Sequence, residues 1–272
     1  MKQFILLISF CFFSIFQVRA IDNYELGARS GGVANASVTY SDVWSSFHNQ
    51  AGLGMLKDIS AGVYIENRFL ISDLSIKGFA VAVPTDKLGT FALNYTMYGG
   101  SLYNEKKAGI GYGKKLGEKF SAGIQLDYIS TYIAEDYGSR SAFAVELGLL
   151  AEPIKNLKLG AHIFNPNRAK AAEYADERIP IILKFGASYQ FSEKILFSAE
   201  EEKDVDQDGV FKAGLEYHVM EVLFLRAGIA SNPTLSTFGF GLKFNQFTVD
   251  MASSWYQDLG FSPQFSLAYS FK

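Results

Sequence analysis

Asp204, Asp206 and Asp208 alternate ahead of Gly209, the D-x-D-x-D-G opening of a calcium loop. Such a loop closes with a bidentate glutamate at its twelfth position. Here that position is Leu215, and Glu216 falls one residue late. Glu200, Glu201 and Glu202 lie just upstream as further oxygen donors. The plainer account is a solvated acidic hairpin tip with no cofactor; calcium on the three aspartates is the alternative. The three histidines, His48, His162 and His218, belong to no nucleophile elbow and no paired metal spacing. Interior histidines bonded to polar neighbours are expected, not an enzyme. Gly109, Gly111 and Gly113 alternate on a strand with no helix after it, so they read as close packing and not as a phosphate cradle.

The elements that hold these residues are amphipathic strands. Phe91-Ala92-Leu93-Asn94-Tyr95-Thr96-Met97 alternates strictly, with apolar side chains on one face and small or polar ones on the other. From Ile59 onward the pattern recurs at 59–66, 74–83, 89–98, 106–115, 120–132, 141–151 and 157–164. It continues at 180–190, 195–202, 210–219, 222–230, 234–244, 247–256 and 264–271. Connections after even strands are tight, such as Thr85-Asp86-Lys87 and Asn245-Gln246; those after odd strands are longer. The expected fold is all-β, an antiparallel transmembrane barrel of about fourteen strands, with short turns on one side and larger loops on the other. A soluble sandwich also alternates but explains neither the rhythm nor the aromatic last strand of Phe265, Leu267, Tyr269 and Phe271.

Parity assigns the faces. Phe211, Ala213, Leu215, Tyr217 and Val219 point to lipid, leaving Lys212, Gly214, Glu216 and His218 inside. The lumen then collects Asp127, Glu146, Glu200, Glu202, Glu216 and Asp250 with Lys158, Lys184, Lys212, Arg226 and Lys243. Charges in so confined a space are expected to pair. In the second strand Leu74 and Ile76 have opposite parity to Phe79, Val81 and Val83, so a bulge near Gly78 is predicted.

Three regions follow. Residues 1–20 read as a signal peptide, with Lys2, an apolar run and Val18-Arg19-Ala20. The single cysteine, Cys11, lies within it. Residues 21–58 do not alternate and form a plug, in which Ser41 or Asp42 caps a short helix bearing Trp44 and Phe47. Residues 59–272 form the barrel, in the bacterial outer membrane with both termini periplasmic. The net charge of −3 argues against nucleic acid; the partners expected are outer-membrane lipids, other outer-membrane proteins and a hydrophobic small molecule. A short surface helix is expected within 166–179.

The plug region carries Gly27-Ala28-Arg29, Gly31-Gly32, Asp42 and Asn49-Gln50-Ala51-Gly52-Leu53. This resembles the FadL-like superfamily, particularly its PorV/PorQ-type family of Bacteroidota, whose members begin with a glycine-rich stretch and an "NPAGL" motif before a fourteen-stranded barrel. The chain departs at Gln50, where the family usually has proline. The resemblance implies a plug set of Gly27, Arg29, Gly31, Gly32, Asp42, Asn49, Ala51, Gly52 and Leu53, to which the reading of the short helix adds Trp44 and Phe47. The FadL resemblance implies a passive channel for hydrophobic small molecules, and the PorV/PorQ resemblance an accessory subunit of a larger machine, type IX secretion, with barrel assembly or surface-lipoprotein export as further machines of that class. The loops are too short and polar to build an external hydrophobic groove, which favours the accessory subunit.

Overall fold

The computed structural model of the chain describes residues 23–135, 138–170 and 179–271. The proposed signal peptide lies outside these residues, as does most of the surface helix expected within 166–179. Fourteen antiparallel strands form a closed barrel. They are β1 (Ile59–Asn67), β2 (Ser75–Thr85), β3 (Gly89–Gly99), β4 (Tyr103–Lys115), β5 (Phe120–Ile133), β6 (Gly138–Ile154) and β7 (Leu157–Phe164). The series continues with β8 (Ile182–Ser192), β9 (Ile195–Asp204), β10 (Val210–Met220), β11 (Leu223–Ala230), β12 (Leu235–Phe244), β13 (Phe247–Tyr256) and β14 (Gly260–Phe271). Each strand pairs with its sequence neighbours, and β1 closes on β14 in the register Ile59 to Phe271 through Glu66 to Gln264. Closure leaves no strand edge, the condition for unpaired backbone groups to stay out of hydrocarbon.

Alternation places the side chains as parity requires. Phe211, Leu215 and Tyr217 are exposed on the outer wall, while Lys212, Gly214 and Glu216 are buried inside. Aromatic pairs ring both rims: Phe91 with Tyr112 and Phe247 with Tyr269 near the turns, Tyr128 with Phe143 towards the loops. Such girdles bracket the lipid-facing band of an outer-membrane barrel. No helix among the described residues is long and apolar enough to cross a membrane.

Three details differ from expectation. The loops at 100–102 and 257–259 are as short as the turns, because β4 and β14 begin three or four residues before the alternation becomes legible. The bulge near Gly78 is absent: β2 pairs with β1 and β3 in unbroken register. Ile76 instead points inward with Ala80 and Ala82, and packs in an apolar cluster with Leu26 of the N-terminal segment. An apolar residue on the lumen face is stable there because that segment covers it. Leu74 ends a 3-10 turn before the strand.

Candidate functional site

The N-terminal segment is lodged inside the barrel. It contains two single-turn helices, α1 (Ala28–Gly31) and α2 (Ser45–His48), and a 3-10 helix over Gln50–Met55. The wall makes room for it with inward-facing glycines on neighbouring strands. Gly113 pairs with Gly123 and Gly123 with Gly148; Gly160 pairs with Gly186 and Gly214 with Gly228. A Cβ at Gly123 would lie 2.3 Å from the carbonyl carbon of Gln50, and one at Gly228 2.4 Å from that of Val33. At Gly160 it would meet the Val38 carbonyl oxygen at 2.6 Å. Backbone therefore touches backbone around much of the lumen.

The residues carried by the family resemblance make specific contacts. Asn49 donates from Nδ2 to the carbonyls of Val38 at 2.8 Å and Leu149 at 3.0 Å, and its Oδ1 accepts from Ala51 N. Ala51 O accepts from Ser121 Oγ at 2.6 Å. Gly52 lies so close to Tyr40 that a Cβ would come within 2.3 Å of the carbonyl oxygen. Leu53 is buried with Trp44 and Phe47. Asp42 accepts from Trp44 N at 3.0 Å through Oδ1, and the helix then opens at Ser45, later than expected. Trp44 stacks on Phe47 and meets Tyr64 edge-on. Gly27 has φ of 113°, a conformation glycine favours, and a Cβ there would strike the Trp44 ring at 2.8 Å. Gly31 abuts Gln264 and Gly32 abuts Arg226.

Charge holds the segment as well. Arg29 donates from Nε and Nη2 to Glu216 at 3.0 and 2.9 Å and from Nη1 to Asp42 at 3.3 Å. Glu216 also accepts from Arg226 Nε at 2.6 Å, and Arg226 Nη1 reaches Asp250 at 2.7 Å. A second cluster joins Lys212 to Glu202 at 2.8 Å and to Glu25 and Glu200 at 3.3 Å. Lys184 completes it through Glu25 and, at 3.6 Å, Glu202. Burial alone would raise the Glu25 carboxyl, but Lys184 and Lys212 outweigh it and hold the group well below the usual carboxylate range. Glu200 also accepts from the backbone of Ser37 and Val38. In a third cluster Glu146 accepts from Lys107 at 2.9 Å, His162 at 2.9 Å and Gln50 at 2.6 Å. Asp127 beside it accepts from Gln125 at 2.9 Å. Lys158 is half-buried and Lys243 exposed, both near the turn end.

Sequence reasoning missed Glu25, Gln50 and Lys107. The parity of β4 puts Lys107 in line with Gly109, Gly111 and Gly113, so its inward direction was readable. Glu25 lies in irregular chain, where no period points to it.

His48 stands 3.3 Å from Ser30 Oγ, the one Ser–His juxtaposition among the described hydrogen bonds. Its Nε2 donates to the Leu26 carbonyl at 2.6 Å, and Ser30 donates to Gly27 O at 2.7 Å. With its proton on Nε2, the ring is not a base for that hydroxyl. The aspartates of the β9–β10 connection form a turn in which Asp204 Oδ1 accepts from Asp206 N at 3.1 Å. Leu215 faces outward and Glu216 is committed to two arginines, so neither closes a calcium loop. The carboxylates of Glu25, Glu200 and Glu202 lie within 4.8 Å of one another, with the Lys184 and Lys212 ammonium groups bonded among them.

At the long-loop end lies a vestibule of about 1000 Å³. Carboxylates of Glu25, Glu66, Glu202, Asp204, Asp206 and Asp208 line it, with Arg68, Lys203 and Lys212 as cations and Tyr24 and Tyr256 as rings. Asn23 also lines it.

No protein-family model and no curated protein matches the sequence. Solved structures share the fold. The Ralstonia pickettii toluene transporter TbuX superposes with a TM-score of 0.66 at 14% identity, over 89% of this chain and 98% of that one. The Pseudomonas putida toluene transporter TodX gives 0.67 at 14%, over 93% and 99%. A Pseudomonas aeruginosa FadL homologue gives 0.65 at 13%, over 90% and 98%. The fold is that of FadL-type outer-membrane barrels.

The preference for an accessory subunit of a secretion, assembly or export machine is therefore corrected. Solved barrels of this shape include a monoaromatic hydrocarbon channel, toluene transporters and a FadL homologue. Loop length does not set the outer cavity alone: strand residues Glu66, Glu202, Thr237, Ser254 and Gln264 line it together with the connections at 205–209 and 231–234.

Proposed function

We propose that the protein is a passive outer-membrane channel for hydrophobic small molecules, closed at rest by its own N-terminal segment. One observation carries this reading: a closed barrel with a lipid-facing apolar wall holds a chain segment inside it, in the fold of toluene transporters. The short-turn end is assigned to the periplasm, where the start of β1 and the end of β14 then meet, and the vestibule to the outside. Trp44 and Phe47, with the glycines around them, form the gate. Passage requires the segment to shift, since its backbone rests on the wall. The PorV/PorQ-type placement rests on Gly27, Arg29, Gly31, Gly32, Asp42, Asn49, Ala51, Gly52 and Leu53, and concerns ancestry only.

The test is uptake of radiolabelled toluene by cells with an intact lipopolysaccharide leaflet and no channel of their own for it. Expression of the protein should raise the uptake rate, and a Trp44→Ala substitution should raise it further. A rate equal to that of cells without the protein overturns the proposal.

A further inference from the structure

Near the loop end the lipid-facing wall carries two cations that no partner offsets. Lys77 of β2 and Lys106 of β4 point outward and are exposed. Both are register partners of Met97 on β3, so the three stand in one row across the wall. A strand spacing of about 4.8 Å sets the two lysines roughly 10 Å apart. Among the described residues neither ammonium has a hydrogen bond or an ion pair. Glu66 of β1 and Glu105 of β4 are buried on the lumen face, and Asp73 of the β1–β2 connection lies against Gly100.

Aromatic rings fix the depth of this row independently. The next outward row towards the turns runs through Phe79, Tyr95, Ala108, Tyr128 and Phe143. Its rings meet in pairs, Phe79 with Tyr95 at 5.9 Å and Tyr128 with Phe143 at 5.4 Å between centroids. Such girdles lie where hydrocarbon gives way to headgroups. The lysine row stands two residues, about 7 Å along the strands, beyond them. A lysine on a barrel's lipid face is destabilising at the midplane and tolerated at the interface. There its stem lies along apolar surface and its ammonium reaches the headgroups. Past Lys106 the row continues through Ser130 and Ser141, small side chains with hydroxyls.

We infer that this row binds the phosphorylated glycolipid of the outer leaflet, lipid A, through its phosphate monoesters. The inference goes beyond the channel reading and shares with it only the orientation that puts the loop end outside. A phosphate monoester carries about −1.5 to −2 charges at neutral pH, more than a phosphodiester, so two unpaired lysines favour the monoester. The ammonium groups hold phosphate, and Ser130 and Ser141 offer hydrogen bonds to the sugar. The acyl chains run down over Phe79, Tyr95 and Tyr128.

The experiment titrates the purified protein in detergent with bisphosphorylated lipid A, lipid A stripped of its phosphates, and phosphatidylglycerol, with affinities read by native mass spectrometry. Bisphosphorylated lipid A should bind most tightly. The double substitution K77Q and K106Q should weaken it about thirtyfold, roughly fivefold for each lysine near an anionic headgroup. K87Q, at an exposed position in the β2–β3 turn at the opposite end, removes the same charge and should change nothing. Neither variant should change the melting temperature. Equal affinity for the phosphate-free lipid, or lipid A binding unchanged by K77Q/K106Q, overturns the inference. Tighter binding of phosphatidylglycerol through the same lysines assigns the row to a phospholipid leaflet, and overturns both the inference and the orientation. Toluene uptake by cells is scored separately. Uptake without a lipid A preference sinks this inference and leaves the channel; lipid A binding without uptake sinks the channel and leaves the site.

Discussion

Arg29 grips Glu216 through two nitrogens, Nε at 3.0 Å and Nη2 at 2.9 Å, and so ties α1 to β10 across the lumen. Glu216 is also held by Arg226, which makes it the acceptor between two guanidinium groups. Glu216→Ala leaves both cations facing each other in a buried site, and the expected loss is about 3–5 kcal/mol. Glu216→Gln, which keeps an acceptor, should lose less. Urea unfolding in detergent, followed by tryptophan emission, measures both. Equal stability of wild type and Glu216→Ala would show that the ion pairs do not anchor the segment.

The glycine-lined wall predicts a different outcome for a different substitution. Gly123→Val places its Cβ where the Gln50 carbonyl carbon stands, 2.3 Å away, and both partners at that contact are backbone. The N-terminal segment must move while the outer wall is untouched. Reconstituted Gly123→Val should conduct ions in planar bilayers far more than wild type, yet keep the heat-modifiable mobility of an intact barrel. Wild-type conductance in this variant would show that the segment does not seal the lumen.

The wall was legible in the sequence because a barrel's two faces differ in solvent, so every strand carries a period of two. Phe211 to Val219 illustrates it, each side chain pointing as parity requires. The interior was legible only in part. Lys184, Lys212, Glu216 and Arg226 could be read as buried charges, but their partners could not, since pairing depends on register between distant strands. Glu25 lies in irregular chain and His48 in the single turn of α2, too short to show a period, so their neighbours are set by tertiary packing alone. Ile76 misled because an apolar residue on a lumen face looks like a phase error until Leu26 is seen covering it. The functional preference rested on loop length, which does not report the strand residues, Glu66 and Gln264 among them, that line the outer cavity beside the connections.

Gln50 stands where the resembling family usually has proline, and it has a bonding role that proline lacks. Its Nε2 donates to Glu146 at 2.6 Å and to the Ser46 carbonyl at 3.3 Å. Gln50→Leu removes a donor from a buried carboxylate and should cost about 1–3 kcal/mol. Gln50→Glu sets a second carboxylate against Glu146 and should cost more than Gln50→Leu at neutral pH. Thermal unfolding of the two variants side by side gives the order; the reverse order would mean that Glu146 is not served by Gln50.

His48 makes the seat of the segment sensitive to acid. Burial lowers its pKa below the ordinary 6.5, against the opposing pull of Glu25 and Asp42 and with Lys184 adding to the lowering. The folded ring therefore binds its proton less readily than the unfolded ring. Its contribution to stability is whole above pH 6.5 and declines as pH falls from there towards the folded value. Trp44 reports the event, because it is 3% exposed inside the barrel while Trp255, the other tryptophan, is 44% exposed on the outer wall. In a Trp255→Phe background, brominated lipid should leave Trp44 emission unquenched at neutral pH. Urea titrations of this background at pH 7.5 and pH 5 should give a lower midpoint in acid. His48→Asn, which cannot titrate, should narrow that difference. An acid shift of the same size in His48→Asn would assign the sensitivity to groups other than His48.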